Sequence, residues 1–201
     1  MKVYCAGPLF TPYEREFMSK CGQVLRANGI DAFVPHESPK PDLPPELLRF
    51  LLHRGLVSEE DLQSKPHWEI LNTLKKAGKV TDQGLEPFIG TPAKRVFNND
   101  FGAISTSNAM LAVVNGPEVD DGTACEIGVF YALMLDDPTK KGIVALHQDW
   151  RTEEYPGEGK GLNAFVLGCL LKAGKVCHSL DEAVAQLKAW QTELESEGHG
   201  K

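Results

Sequence analysis

The chain reads as a doubly wound α/β domain of about five parallel strands. Three observations predict it. Short apolar runs rich in strand formers alternate with longer segments of helical spacing, the pattern of βαβ units. The run 109–114 (AMLAVV) is unbroken and too short for a stable helix, so it reads as a strand buried on both faces. Turn residues Asn115, Gly116 and Pro117 come next, then the acids Glu118, Asp120 and Asp121. Beyond the carboxyl end of a central strand is where an open α/β sheet places its ligand.

In chain order, Lys2–Ala6 is the first strand, and Gly7 and Pro8 end it. Thr11 or Pro12 precedes a helix over 13–28, in which Phe17, Cys21, Val24 and Leu25 recur at helical spacing and Asn28-Gly29 is the stop. Residues 30–35 (IDAFVP) are the second strand, and a parallel pairing with the first requires a right-handed crossover. Pro39, Pro41, Pro44 and Pro45 then mark a loop. Residues 46–54 form a helix stopped by Gly55, and Ser58 caps a short helical turn over 58–63. Pro66 opens a helix over 66–77 that Gly78 closes, and Thr91-Pro92 ends the stretch. The region of about 37–95 is therefore read as a helical insertion, packed over the site or at a subunit interface. It is not read as a domain of its own, because the blocks on either side are needed to build one sheet. The expectation is one domain over 1–201, long enough for a substantial core.

Residues 96–107 are expected to form a helix carrying Asp100, with Asn98, Asn99 and Asp100 open to a plain reading as cap and first-turn residues. Residues 124–135 read as a largely apolar helix with Glu126 in its first turn and Pro138 beyond its end. Gly142–Leu146 is a strand, and the polar stretch 148–160, with Gly157 and Gly159, is expected to be a mobile loop. A helix begins over 161–165 and ends at Ala173-Gly174, then 175–178 is the last strand. Ser179-Leu180-Asp181-Glu182 is a capping box for a terminal helix with Val184, Leu187 and Trp190 on one face, frayed from Ser196. The whole is a Rossmann- or flavodoxin-like sheet.

The net charge of -7 argues against a nucleic-acid polymer as partner. Five scattered cysteines (Cys5, Cys21, Cys125, Cys169, Cys177) without a C-x-x-C pair fit a reducing cytosol better than a disulfide scaffold or zinc site, and Cys5 and Cys125 are expected to be small buried residues. His36, His53 and His67 lack metal-ligand spacing. The chain runs directly into a strand, so no signal peptide is expected, and no apolar run has the length of a membrane span. The expected location is cytoplasmic.

Glu126 has two readings. An acid in a first helical turn complements the helix dipole, worth a few tenths to about 1 kcal/mol. Alternatively Glu126 is a nucleophile. It lies among Ala124, Cys125, Ile127 and Val129, with Gly122 and Gly128 keeping backbone close. A carboxylate so placed can attack an electrophilic carbon and form an ester, as in glycosidases. Asp121 and Asp100 supply further carboxylates to the same crevice, and like charges raise each other's pKa.

At these residues the sequence resembles the nucleoside 2-deoxyribosyltransferases. Three blocks carry the likeness. Residues 3–10 (VYCAGPLF) are similar to the family's first strand and its Y-x-A-G-P-x-F loop. Asn98-Asn99-Asp100 precedes the central strand. Residues 121–128 (DGTACEIG) are similar to the signature D-x-G-T-A-x-E-x-G with one spacer absent. Two further departures are the long 37–95 connection and Asn108, where the family commonly has Asp before the strand.

The resemblance implies roles. Glu126 attacks the anomeric carbon of a 2'-deoxynucleoside, the base leaves, and a second base takes the deoxyribosyl group. Tyr4, otherwise a core aromatic, orients Glu126 by a hydrogen bond. Asp100 binds and helps protonate the departing base. Asp121, with Asp120 as the alternative, contacts base or sugar. Gly7, Leu9 and Phe10 lie in the loop that packs on the base, Gly122 lies beside the nucleophile, and Asn163 reaches the neighbouring subunit's site, although Phe10 also reads as core, Thr123 as a helix cap and Asn163 as another. The partners implied are a 2'-deoxynucleoside and a free nucleobase, in a homo-oligomer of two or more chains with shared sites, with no membrane, metal or organic cofactor. The first loop has no basic residue from Gly7 to Pro12, which favours a free 5'-hydroxyl over a 5'-phosphate. An N-glycosidase acting on nucleosides or their 5'-monophosphates, with water as acceptor, is the nearest alternative. A non-catalytic nucleotide-sensing domain is a different one, and it would not need Glu126.

Overall fold

The computed structural model describes residues 1–39, 42–149 and 162–198. The chain divides into two compact units, residues 1–38 with 101–201, and residues 39–100. The expected mobile loop at 148–160 falls almost wholly outside the described residues.

The first unit holds a five-stranded sheet of β1 (Lys2–Ala6), β2 (Asp31–Phe33), β3 (Ala109–Val113), β4 (Gly142–Leu146) and β5 (Gly174–Cys177). Its order is β2-β1-β3-β4-β5 and every neighbouring pair is parallel. That is the flavodoxin-type order, whose switch point lies between β1 and β3. Tyr4 pairs in register with Met110 and Ala6 with Ala112.

Alternation along each strand sorts the side chains onto two faces. Val3, Cys5, Ala109, Leu111, Val113, Val144 and Leu146 face one layer, where helix α1 (Pro12–Ala27) packs Met18, Cys21 and Leu25. The C-terminal helix (Leu180–Gly198) adds Ala183, Val184 and Leu187 to the same layer. Tyr4, Ala6, Met110, Ala112, Ile143 and Ala145 face the other layer. A strand buried on both sides has no polar face to show, which is why β3 and β4 read as continuous apolar runs.

The second unit contains α2 (Pro45–His53), α3 (Glu59–Ser64), α4 (His67–Lys76) and α5 (Asp82–Ile89). Leu43, Leu47, Leu51, Ile70, Leu71, Leu74 and Leu85 form a core of its own. Ser58 and Asp61 make a reciprocal capping box on α3. Helix α5 is absent from the sequence-based expectation. Gly84 and Pro87 lie inside it and read as breakers, but Thr81 caps it at Gly84 N and the helix stops at Gly90 (φ +70°) soon after Pro87.

Helix α6 (Pro92–Thr106) begins in the second unit and ends in the first. It starts four residues before the expected 96, because Thr91-Pro92 opens a helix instead of closing a segment. Thr91 Oγ1 accepts Lys94 N at 3.2 Å, with Pro92 at the first helical position. Helix α7 (Asp121–Met134) likewise starts earlier than the expected 124. Helix α8 (Ala164–Ala173) begins after the cap Asn163, and helix α9 (Leu180–Gly198) continues two residues past Ser196, where fraying is expected; the rest of that stretch, 199–201, lies outside the described residues. Its capping box is altered: Ser179 Oγ accepts Glu182 N, but the Glu182 carboxylate accepts His178 N, not the cap's own amide. No helix among the described residues is long and apolar enough to cross a membrane.

Candidate active site

The switch point places two loops side by side, one after β1 and one after β3, and both carry candidate residues. In the first loop Gly7 is held tightly: a Cβ there would lie 2.5 Å from Met18 Sδ and 3.2 Å from Val113 Cβ. Any larger residue would have to displace the Met18 side chain where the backbone passes between α1 and β3. Thr11 then caps α1, with Glu14 returning the bond to Thr11 N. Arg15, one turn into α1, donates from Nη1 to Leu9 O (2.7 Å) and Phe10 O (3.1 Å), fixing the loop backbone. Leu9 packs partly on the core, whereas Phe10 is 78% exposed, which excludes the core reading of Phe10. A mostly apolar cavity of about 220 Å³ opens beside the loop, lined by Pro8, Tyr13, Glu14, Phe17, Met18 and Val113.

Glu126 lies in the second turn of α7, not the first, because the helix starts at Asp121. The dipole reading weakens accordingly, since that field falls off within the first turn. Its carboxylate Oε1 instead accepts a hydrogen bond from the Tyr4 hydroxyl at 2.5 Å. Tyr4 is wholly buried in β1, its ring stacked on Phe33 with centroids 5.7 Å apart. A phenol donating to an ionised carboxylate favours the charged form and restrains its rotamer.

The two aspartates at the start of α7 are arranged differently from each other. Asp120 is the helix cap: its Oδ2 accepts Thr123 N and Thr123 Oγ1, both at 2.9 Å. Thr123 is therefore the cap's partner, not the cap. Asp121 is exposed and accepts the amide of Gly122 at 2.8 Å. Counted from Asp120, residues 120–128 (DDGTACEIG) meet D-x-G-T-A-x-E-x-G with no spacer missing. Asn163 caps α8, its Oδ1 accepting Phe165 N and Val166 N.

Asp100 is described with the second unit, on α6. Burial raises its pKa above the ordinary carboxylate range, and a bond from Asn99 Nδ2 at 2.9 Å opposes this. It lies well inside α6, so the cap reading of Asn98-Asn99-Asp100 is excluded.

All five cysteines are free. Cys5 and Cys21 are buried in the α1 layer; burial pushes the Cys5 thiol well up and the Cys21 thiol up to about 11. Cys125 is exposed, contrary to expectation, because it falls on the outer side of α7. Among the described residues no cluster of three or more His, Cys, Asp or Glu is disposed to hold a metal.

Two contributors escape the sequence reading. Arg15 lies one turn past the Thr11 cap, a position from which a long side chain can reach back to the loop. Lys140, beside the start of β4, is buried, and nothing in the pair Lys140-Lys141 marks one as buried and the other as surface.

Solved structures with this fold include a conserved protein from Enterococcus faecalis V583, with TM-score 0.59, 20% identity, and coverage of 94% of this chain and 98% of that one. Another is a 2-deoxyribosyltransferase from the psychrotolerant bacterium Bacillus psychrosaccharolyticus, with TM-score 0.51, 19% identity, and coverage of 92% and 90%. No curated protein matches. The family model described as nucleoside 2-deoxyribosyltransferase matches residues 3–167, which span the β1 loop, α6 and α7, and the chain belongs to that family.

Proposed function

We propose that the chain transfers the 2-deoxyribosyl group of a 2'-deoxynucleoside to another purine or pyrimidine base through an ester on Glu126. The observation that carries this reading is the Tyr4–Glu126 hydrogen bond at the β1/β3 switch point. A surface acid that only steadied its helix would not need a buried phenol as partner.

A Glu126 carboxylate oxygen forms a bond to C1' while the C1'–N bond breaks, and the electron pair leaves with the base. Asp100 supplies a proton to that base, a role suited to a carboxyl whose pKa burial raises. An incoming base then attacks C1', the ester bond breaks, Glu126 recovers its charge, and the proton returns to Asp100. Gly7, Leu9, Phe10 and Gly122 shape the base and sugar site. Of Asp120 and Asp121 at the start of α7, Asp120 is the better substrate contact in this reading, since its carboxylate is fixed by two bonds while Asp121 lies exposed.

The substrate is a nucleoside and not a nucleotide: Arg15, the basic side chain nearest the first loop in sequence, already donates to Leu9 O and Phe10 O. Exposed Leu135, at the C-cap of α7, and exposed Phe165 and Leu171 on α8 support a homo-oligomer in which Asn163 serves a neighbouring site. The test is incubation of a 2'-deoxynucleoside with and without a free acceptor base. New nucleoside supports transfer. Free deoxyribose alone assigns the chain as an N-glycosidase, with water as acceptor.

A further inference from the structure

We propose that Lys140 is a positioning residue that aligns α6 and α7, the helices bearing Asp100 and Glu126, and so sets the rate of sugar transfer. This rests on the function proposed above. The Lys140 side chain is 2% exposed. Its Nζ donates to three backbone carbonyls at the end of α6: Ile104 O at 3.2 Å, Ser105 O at 2.9 Å and Ser107 O at 2.8 Å. Ile104 and Ser105 are among the last four residues of α6, whose carbonyls lack i+4 donors, and Ser107 lies just past its end. Ile104 O also accepts Ser107 N at 3.2 Å, and a cation there complements the negative end of the dipole.

The same ammonium lies 5.1 Å from the ring centroid of Phe130 on α7. Ile104 is one turn beyond Asp100 on α6, and Phe130 is one turn beyond Glu126 on α7. Residues four apart share a helix face, so on α7 the ammonium touches the face that also carries Glu126, while on α6 it binds the backbone at the helix's C-terminal end.

The lysine is itself anchored. Lys140 N donates to Asp137 O at 3.1 Å, Lys141 N to Asn108 O at 2.7 Å, and Asn108 Nδ2 to Thr139 O at 3.3 Å. The turn that carries Lys140 is thus tied to the α6–β3 junction. Closing off the carbonyls alone requires only a glycine cap or water. One buried cation shared by two helices adds a fixed relation between them.

The test compares Lys140→Met with Lys141→Met. Lys141 Nζ pairs with Glu197 at 2.6 and 2.7 Å and touches neither helix in question. Amide hydrogen exchange is monitored in α6, α7 and α1, and kcat and KM are measured for base exchange. In Lys140→Met the amides of the last turn of α6 and of α7 beyond Glu126 should exchange about tenfold faster, with α1 unchanged. Its kcat should fall about tenfold or more while KM stays within about threefold, and Lys141→Met should match wild type in every reading. A folded Lys140→Met protein with unaltered exchange, or with a kcat loss no larger than its loss of folded fraction, overturns the proposal. If Lys140→Met does not fold, Phe130→Leu, which deletes the ring but keeps the ammonium's hydrogen bonds, is read by the same criteria. Wild type that swaps no bases defeats the function proposed above, while the hydrogen-exchange comparison still decides the alignment.

Discussion

Tyr4 and Glu126 meet through one hydrogen bond of 2.5 Å although 122 residues separate them in sequence. The phenol is rooted in β1, one of the two strands that flank the switch point, and the carboxylate rides on the helix after the other, β3. Parallel pairing of β1 with β3 brings them together.

Tyr4→Phe keeps the ring packed on Phe33 and removes only the donor. A hydrogen bond to a charged group is worth about 1.5–3 kcal/mol, so kcat/KM for base exchange should fall by roughly 10- to 100-fold. The thermal midpoint should move little. Steady-state kinetics beside a melting curve checks both.

Asp100 bears on pH. Its pKa in the folded chain is raised by burial, so the folded state holds the proton more tightly than the unfolded one. The stability this contributes is fully present below the ordinary carboxylate pKa and is lost as pH rises through the raised value. Asp100→Asn should therefore be more stable than wild type at neutral pH, with the difference vanishing in strong acid. Denaturant titrations at pH 7 and near pH 3 read this directly. Base exchange should decline in wild type as pH rises through the Asp100 titration, and that limb should be absent in the variant.

Asp120→Ala removes both bonds to Thr123. Loss of such a cap costs about 1 kcal/mol, with a fall of several degrees in melting temperature. Asp121→Ala removes an exposed side chain from no cap and should leave the melting temperature unchanged. If the Asp120 carboxylate also contacts substrate, Asp120→Asn, which retains a capping oxygen, should restore stability but not KM.

Gly7→Ala tests the first loop. The new methyl would meet Met18 Sδ at 2.5 Å, and overpacking of this kind costs about 1–3 kcal/mol. Because Met18 is flexible, the double variant Gly7→Ala/Met18→Ala should recover part of the loss. A double-mutant cycle in urea measures the coupling.

Much of the sheet is legible in the sequence because a strand covered on both faces admits no polar residue, as β3 and β4 do not. Helices are legible where a cap and a glycine stop bracket them, as Thr11 and Gly29 bracket α1. Thr91-Pro92 is ambiguous because the same pair can end one segment or open a helix, and here it opens α6. Helix α5 is hidden by Pro87, which lies past the first turn and removes the donor to Gln83 O, so that only two further helical residues precede the Gly90 stop. Asp120 and Asp121 differ only in which one the backbone turns into the cap, and that is decided by where α7 starts. The Tyr4–Glu126 pairing is foreseeable through family likeness alone, since register between distant strands is not written in local spacing. Lys140 escapes for the same reason: its partners are backbone carbonyls more than thirty residues away.

Whether Glu126 carries a covalent sugar ester is read most directly by mass spectrometry. The peptides come from protein incubated with a slowly turning-over 2-fluorinated deoxynucleoside analogue. The expected result is a mass increase equal to the fluorinated sugar on the peptide containing Glu126, absent from Glu126→Ala, which should also exchange no bases. An unmodified Glu126 peptide, together with a Glu126→Ala protein that swaps bases at the wild-type rate, would contradict the ester.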